Sequence, residues 1–111
     1  MNITCETTGD AMSARIDGSI DASAVAAFNQ SPELQSKMRD IVIDLAGVDF
    51  MDSAGLGALV MLIRGYREAG RKCVLASAPP IVAKILKVTS IHQLTPVAPD
   101  MEQAFQLLRG K

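Results

Sequence analysis

One short apolar run constrains the fold of this chain most strongly: Ile41, Val42, Ile43 and Leu45, interrupted only by Asp44. A nearly continuous run of this length is typical of a strand that is buried on both faces. Such a strand needs layers of helices to cover the sheet that contains it. The sequence therefore predicts a layered α/β domain with this strand at its centre.

A long amphipathic helix is predicted after this strand, over residues 53–68, with Gly70 at its end. The apolar residues that recur at helical spacing are taken as its core face: Leu56, Leu59, Val60, Ile63 and Tyr66. A second face carries Ala54, Ala58, Met61 and Gly65, and no charged residue occurs from Ser53 to Ile63. This face is either an outward docking surface or is covered by neighbouring elements, and the sequence leaves both interpretations open.

The remaining elements complete an α/β order along the chain. We predict strands over 2–8 and 11–17 joined by a tight turn at 8–10, a helix over about 22–38 with Asp21 at its start and Ser31-Pro32 as a candidate break, a strand over 73–76, a helix over 81–88, a short strand over 94–97 and a helix over 100–109. The expected fold is one domain, residues 1–111, with a mixed sheet of about four to five strands layered with about four helices. The sheet begins with an antiparallel hairpin and continues with parallel strands.

Composition and charge exclude several classes of function. Hydrophobic residues make up 49% of the 111 residues and the formal net charge is −1, with no long run of one sign. A nucleic-acid partner is not expected, because phosphate binding calls for a basic stripe. The chain shows no membrane-spanning segment and no signal peptide, so we expect a soluble, cytoplasmic protein without membrane insertion.

No cofactor, metal or catalytic site is predicted. Cys5 and Cys73 lie in apolar, strand-like runs without the spacing of a metal or redox pair, and we interpret them as buried free thiols. The sequence alone leaves a disulfide open, but a cytoplasmic location argues against one. His92 is the only histidine and is interpreted as a loop or partly buried structural residue, so no histidine cluster exists for metal binding or acid–base chemistry.

The candidate functional residue is Ser53, at the junction between the central strand and the long helix. The first N–H groups of a helix lack backbone partners and its dipole is positive there, so this position tolerates an added anion. Gly55 and Gly57 are expected to leave room for another protein's active site. The alternative is that Ser53 is only the helix N-cap, with Asp49 and Asp52 as ordinary turn or cap residues.

The stretch Phe50-Met51-Asp52-Ser53-Ala54-Gly55-Leu56-Gly57 resembles the phosphorylation motif of STAS domains, and in particular that of the bacterial anti-sigma factor antagonists. The resemblance extends over nearly the whole chain and includes Gly18-Ser19-Ile20-Asp21. It implies that Ser53 is the phosphorylated residue. Many relatives have Ser or Thr at the next position, where this chain has Ala54, so only one acceptor remains. The segment 90–94 departs from the small-residue loop usual in the family.

The resemblance implies a non-enzymatic switch protein. Its partners would be an anti-sigma factor with serine kinase activity, which binds the unphosphorylated form, and a serine phosphatase. Phosphorylation of Ser53 would release the anti-sigma factor. The residues expected at the partner surface are Asp21, Asp52, Ala54, Gly55, Gly57, Ala58 and Met61.

Three other functions can be considered for a chain with this motif. A hydrolase is poorly supported because Ser53 lacks a G-x-S-x-G turn and a His–acid pair. A receiver domain phosphorylated on Asp52 is disfavoured by the opening hairpin and by the missing early acidic pair. The regulatory STAS subunit of a bacterial ABC lipid transporter, or another STAS scaffold protein, remains open, since such relatives share the fold and a similar motif.

Overall fold

The computed structural model describes residues 1–110, which form five strands, five helices and one 3-10 turn. In chain order the elements are β1 (Asn2–Thr8), β2 (Ala11–Ile20), α1 (Ala24–Asn29), α2 (Pro32–Ser36), β3 (Asp40–Met51), α3 (Ser53–Glu68), β4 (Cys73–Ala76), α4 (Pro80–Val88), the 3-10 turn (Ile91–Gln93), β5 (Val97–Ala98) and α5 (Met101–Leu108). The predicted bounds of α3 and β4 match those of the structure.

The strands form one mixed sheet in the order β1-β2-β3-β4-β5. β1 pairs antiparallel with β2, and every later pair is parallel. The fold predicted from sequence, a hairpin followed by parallel strands, is therefore confirmed. The last residues of β2 and β3, Ile20 and Met51, are register partners. The segments that follow these two strands consequently emerge side by side at the carboxyl edge of the sheet.

Both faces of β3 are buried, as its apolar run predicts. Ile41, Ile43 and Leu45 belong to the larger core, which helices α1 to α4 cover. Val42 points to the opposite face and packs in a smaller core with residues of α5, including Ala104 and Leu108. The alternation within a single strand thus joins two hydrophobic cores and makes the domain a three-layered structure.

The helix predicted over 22–38 is in fact two short helices, α1 and α2, separated at Gln30 and Ser31. Pro32 occupies the first turn of α2, where its missing N–H costs nothing, and the Ser31 hydroxyl accepts a hydrogen bond from the Leu34 N–H at 3.3 Å. Asp21 does not cap α1 directly, because α1 begins only at Ala24. Ser31-Pro32 is therefore a real boundary, and the continuous helix was wrong.

Three strands differ from their predicted bounds. β2 runs on to Ile20 instead of ending at 17. β3 runs on to Met51 through a register shift against β2, where a side chain on Gly47 would collide with Asp17. The final strand lies at Val97–Ala98 instead of 94–97. The strand does not begin at 94 because the Leu94 N–H still bonds within the 3-10 turn. The next residue, Thr95, is buried, and its hydroxyl donates a hydrogen bond to the Cys73 carbonyl.

The surroundings of the two cysteines and the single histidine differ in burial. Cys5 and Cys73 are both free thiols. Cys73 is buried, as predicted, and burial raises its pKa to about 12, whereas Cys5 is only half-buried, so the prediction of two buried thiols was wrong at Cys5. His92 is exposed on the 3-10 turn, so its partly buried alternative does not apply. No helix within residues 1–110 has the length and apolar character required to cross a membrane.

Removal of one buried hydroxyl tests the attachment of α3 to α2. The Tyr66 hydroxyl donates a hydrogen bond of 2.9 Å to the buried carbonyl of Leu34. We expect Tyr66→Phe to lower the free energy of unfolding by about 1–2 kcal/mol, because the carbonyl loses its partner without gaining water. Urea denaturation measures the loss. Ser36→Ala, which removes an exposed hydroxyl that bonds only within α2, is the control, and an equal change in both variants would contradict this role.

Candidate functional site

The first turn of α3 is fixed by Asp52, which is the N-cap residue. Its carboxylate accepts a hydrogen bond from the Gly55 N–H at 2.8 Å, and its own N–H donates to the Ile20 carbonyl at 3.3 Å. The carboxylate thus occupies the role that an N-cap serine would fill. The alternative in which Ser53 is itself the cap is therefore wrong.

Ser53 is instead the first residue of α3, and its side chain is exposed. Because Asp52 satisfies the cap, the Ser53 hydroxyl is not required for the helix end. It lies where the unpaired N–H groups and the helix dipole make the potential positive. An enzyme that approaches the carboxyl edge of the sheet can reach this oxygen without unfolding the helix.

The two glycines of the motif have different roles. A side chain on Gly55 would place its Cβ 1.7 Å from the Ile20 carbonyl oxygen and 2.8 Å from the Asp21 nitrogen. Gly55 is buried, so the expectation that it opens the surface to a partner is wrong, and its role is to let α3 approach the end of β2. Gly57 is exposed with nothing near its Cβ position, as expected of a residue at an open surface.

Asp21 lies beside this turn at the end of β2. Its carboxylate accepts hydrogen bonds from the Ser23 hydroxyl at 2.6 Å and the Ser23 N–H at 3.0 Å. These bonds hold the pKa of the Asp21 carboxyl below its ordinary value, so the group is charged near neutral pH. The structure therefore brings Asp21 next to the first turn of α3, although its capping partner is Ser23 and not a helical N–H.

Asp49 adds a third carboxylate near the end of β3. It is exposed and accepts a hydrogen bond from the Ser19 hydroxyl at 3.2 Å. The aromatic ring of the next residue, Phe50, is 49% exposed, which sequence reasoning had not singled out. The carboxyl edge around Ser53 is thus acidic, with Asp21, Asp49 and Asp52 on the segments that end β2 and β3.

The face of α3 that carries small residues is only partly open. Met61 is 68% exposed and Ala54 is exposed, but Ala58 is 4% exposed and is covered by α1. Gly65 lies beneath the aliphatic chain of Lys37. The outward placement of Ala58 was therefore wrong, because α1 docks on this part of the helix. The predicted core face was correct at Leu59, Ile63 and Tyr66, whereas Leu56 and Val60 are only half-buried.

Two residues near this face were missed by the sequence reasoning. Val25 on α1 is 43% exposed and lies across from Met61, and Lys37 extends over the end of the same face. Val25 and Phe28 are three residues apart, a spacing that fits one apolar side of a helix, but no signal in the sequence places that side against α3. Among residues 1–110, no group of three or more His, Cys, Asp or Glu side chains is arranged to hold a metal ion.

Comparison with known proteins identifies the family. The family model described as STAS domain matches residues 2–104, which is nearly the whole chain. This chain belongs to the STAS domain family. The predicted resemblance is therefore confirmed, and the motif around Ser53 lies within the matched region of this STAS domain.

Several relatives and solved structures similar to this STAS domain are named anti-sigma factor antagonists. It is 25% identical over 98 residues to the anti-sigma-B factor antagonist of Staphylococcus aureus, an alignment that covers 85% of this chain and 91% of the relative. The crystal structure of an anti-sigma factor antagonist from Mycobacterium paratuberculosis superposes with a TM-score of 0.79, at 19% identity, over 97% of this chain and 93% of that one. SpoIIAA, the Bacillus cell fate determinant, superposes in its phosphorylated form with a TM-score of 0.68, at 19% identity, over 96% and 99% of the two chains.

A matched pair of glycine substitutions tests the contact between α3 and β2. We expect Gly57→Ala to stabilise the domain by up to about 1 kcal/mol, because alanine favours a helix and the site is open. Gly55→Ala should lower the free energy of unfolding by about 1–3 kcal/mol, since the new methyl group collides with the Ile20 backbone. Chemical denaturation compares the two variants, and a neutral or stabilising Gly55→Ala would contradict the close approach.

Two substitutions of Asp52 separate its capping role from its charge. We expect Asp52→Ala to lower the free energy of unfolding by about 1 kcal/mol, because the Gly55 N–H loses its acceptor. Asp52→Asn keeps an acceptor oxygen and should remain within about 0.5 kcal/mol of the wild type. Thermal and urea unfolding of both variants measure this difference. If Asp52→Asn lowered the free energy of unfolding as much as Asp52→Ala, the stabilisation by Asp52 would come from its charge and not from the capping hydrogen bond.

Proposed function

We propose that this STAS domain is an anti-sigma factor antagonist that acts without catalysing a reaction itself. In the unphosphorylated state it binds an anti-sigma factor that is also a serine kinase, and the sigma factor is set free. Phosphorylation of Ser53 by that kinase reverses the binding, and a serine phosphatase restores it. The single observation that carries the proposal is the exposed Ser53 hydroxyl at the first position of α3, where Asp52 performs the capping.

The covalent step is an ordinary phosphoryl transfer from ATP. The Ser53 oxygen forms a bond to the γ-phosphorus, the bond between the γ-phosphorus and the β,γ-bridging oxygen breaks, and ADP leaves. A basic group of the kinase accepts the hydroxyl proton. The phosphatase later adds water across the serine phosphate bond and releases inorganic phosphate. Ser53 is the only hydroxyl in the motif, because the next residue is Ala54.

The effect of the phosphate on binding follows from the charges already present. Phosphorylation adds about −1.5 to −2 charges next to Asp52 and near Asp21 and Asp49. A partner surface that fits the unmodified edge must then accommodate a dianion, and burying it without new cationic partners is costly. Since each 1.4 kcal/mol changes affinity about tenfold, a penalty of a few kcal/mol suffices for release.

The same local geometry explains why the phosphorylated chain stays folded. Ser53 is an exposed residue, so the phosphate displaces no core side chain. The positive end of α3 partly compensates the new charge. Phosphorylation is therefore expected to alter what docks at this edge while leaving the sheet and its helices in place.

The exposed part of α3 supplies the proposed docking surface beside Ser53. Ala54, Gly57 and Met61 are exposed, and no charged residue follows Ser53 until Arg64. Small side chains let a partner's backbone approach closely, and the flexible methionine adapts to an apolar partner. Gly55 and Ala58, which are buried, contribute to this surface only by positioning it.

Binding to the cognate anti-sigma kinase tests the proposal. We expect incubation with that kinase and ATP to place one phosphate on Ser53, mapped by mass spectrometry. Ser53→Ala should bind the kinase with unchanged affinity and accept no phosphate. Ser53→Asp should bind at least about tenfold more weakly, because it introduces a permanent charge at the same position. Isothermal titration calorimetry measures both affinities.

The control is Ser90→Asp, which adds the same charge at an exposed position outside the carboxyl edge, on the turn after α4. It should bind as the wild type does. Phosphate on another residue, or tight binding by Ser53→Asp, would contradict the proposed switch. Stable copurification with a transporter ATPase in place of an anti-sigma factor would assign the chain to the alternative role of a transporter subunit.

A further inference from the structure

A groove lies between α1 and α3, beyond Ser53 in the direction of the C-terminal end of α3. It has a volume of about 130 Å³. Its floor is apolar and consists of Phe28, Ala58 and Leu62, which are 3%, 4% and 6% exposed. An apolar cavity of roughly 150 Å³ is large enough to hold a benzene ring. The groove therefore has room for one aliphatic or aromatic side chain.

The two rims of the groove are also apolar and are open to solvent. Val25 on α1 is 43% exposed and Met61 on α3 is 68% exposed. Met61 is eight residues beyond Ser53, which corresponds to about 12 Å along a helix. A partner that covers Ser53 and the uncharged side of α3 would need to extend only two helical turns to reach these rims.

One end of the groove is polar and cationic. Lys37 and Gln35 line it, and the Gln35 amide already donates to the Phe28 carbonyl at 2.9 Å. The aliphatic chain of Lys37 lies across Gly65, and the ion pairs within residues 1–110 both belong to Arg15 and not to Lys37. No carboxylate lines the groove. The charge complement of this end is therefore an acidic group.

We propose that this groove is a second contact point for the anti-sigma factor, and that it receives one apolar side chain of that partner with a neighbouring carboxylate placed against Lys37. The proposal rests on the proposed function, because the groove continues the surface that begins at Ser53. It assigns binding roles to Val25 and Lys37 in addition to Met61. The partner would thus contact two places along α3. At Ser53 its binding depends on the charge state, and at the groove it depends on shape and charge.

The test uses the anti-sigma kinase that copurifies with the wild-type chain, and it measures binding and phosphorylation separately. We expect Lys37→Glu and Val25→Ser each to raise the Kd for that kinase about tenfold. In the phosphorylation assay the KM for this chain should rise by a similar factor while kcat stays unchanged, because Ser53 and its surroundings are intact. The ratio of variant Kd to wild-type Kd should depend on salt concentration for Lys37→Glu but not for Val25→Ser.

Lys87→Glu is the matched control, since it makes the same charge change at an exposed position of α4, away from the groove. It should leave Kd and KM unchanged. Thermal unfolding verifies that each variant is folded. Val25→Ser is a second groove variant in case Lys37→Glu does not fold, because Val25 is exposed and outside the core.

The possible outcomes distinguish the two proposals. In one outcome the wild-type chain binds the kinase and receives phosphate on Ser53 while both groove variants keep an unchanged Kd. That result would overturn the proposed role of the groove and leave the proposed function standing. Absence of kinase binding by the wild type would overturn both. Concentration-dependent dimers in light scattering that the groove variants abolish would show that a second copy of this chain occupies the groove, and would also overturn the assignment.

Discussion

The site depends on a close approach between two backbones. The first turn of α3 lies against the end of β2, where the Ile20 carbonyl accepts the Asp52 N–H and packs against Gly55. Only a residue without a side chain fits there. This contact fixes the direction in which α3 leaves the sheet, and it holds Asp21 beside the helix tip. The exposed position of Ser53 is a consequence of that packing, together with the cap that Asp52 provides.

This arrangement separates the proposed phosphate acceptor, the Ser53 oxygen, from the atoms that maintain the fold. The Asp52 carboxylate bonds to Gly55, and the Asp21 carboxylate bonds to Ser23, so both acids have structural partners. Ser53 has neither a core position nor the cap to maintain. A dianion added to its oxygen would therefore change the surface potential that a docking partner meets, and would hardly affect the interior. The proposed switch would need a change of only a few kcal/mol in binding free energy, which local repulsion and desolvation can provide.

The sequence predicted the elements whose pattern is strong and missed those that tertiary contacts decide. The run Ile41–Leu45 and the periodicity of α3 predicted the central strand and the long helix, because both patterns reflect burial directly. The Asp52-Ser53 pair contains two good capping residues, and only the backbone course from Met51 decides that the aspartate is the cap. The burial of Ala58 could not be predicted for a similar reason, since it depends on where α1, which ends before the break at Pro32, packs against α3. The two-residue β5 is too short to carry a pattern of its own.

The central claim is that a phosphate on Ser53 changes the surface of this domain and not its fold. Amide chemical shifts of the unmodified and the stoichiometrically phosphorylated protein, compared by heteronuclear NMR, test it most directly. The account predicts large shifts only for segments that meet at the carboxyl edge, residues 19–23 and 49–57, with the amides of β4 and α5 unchanged. Shift changes that spread through the sheet and α5, or none at the start of α3, would contradict it.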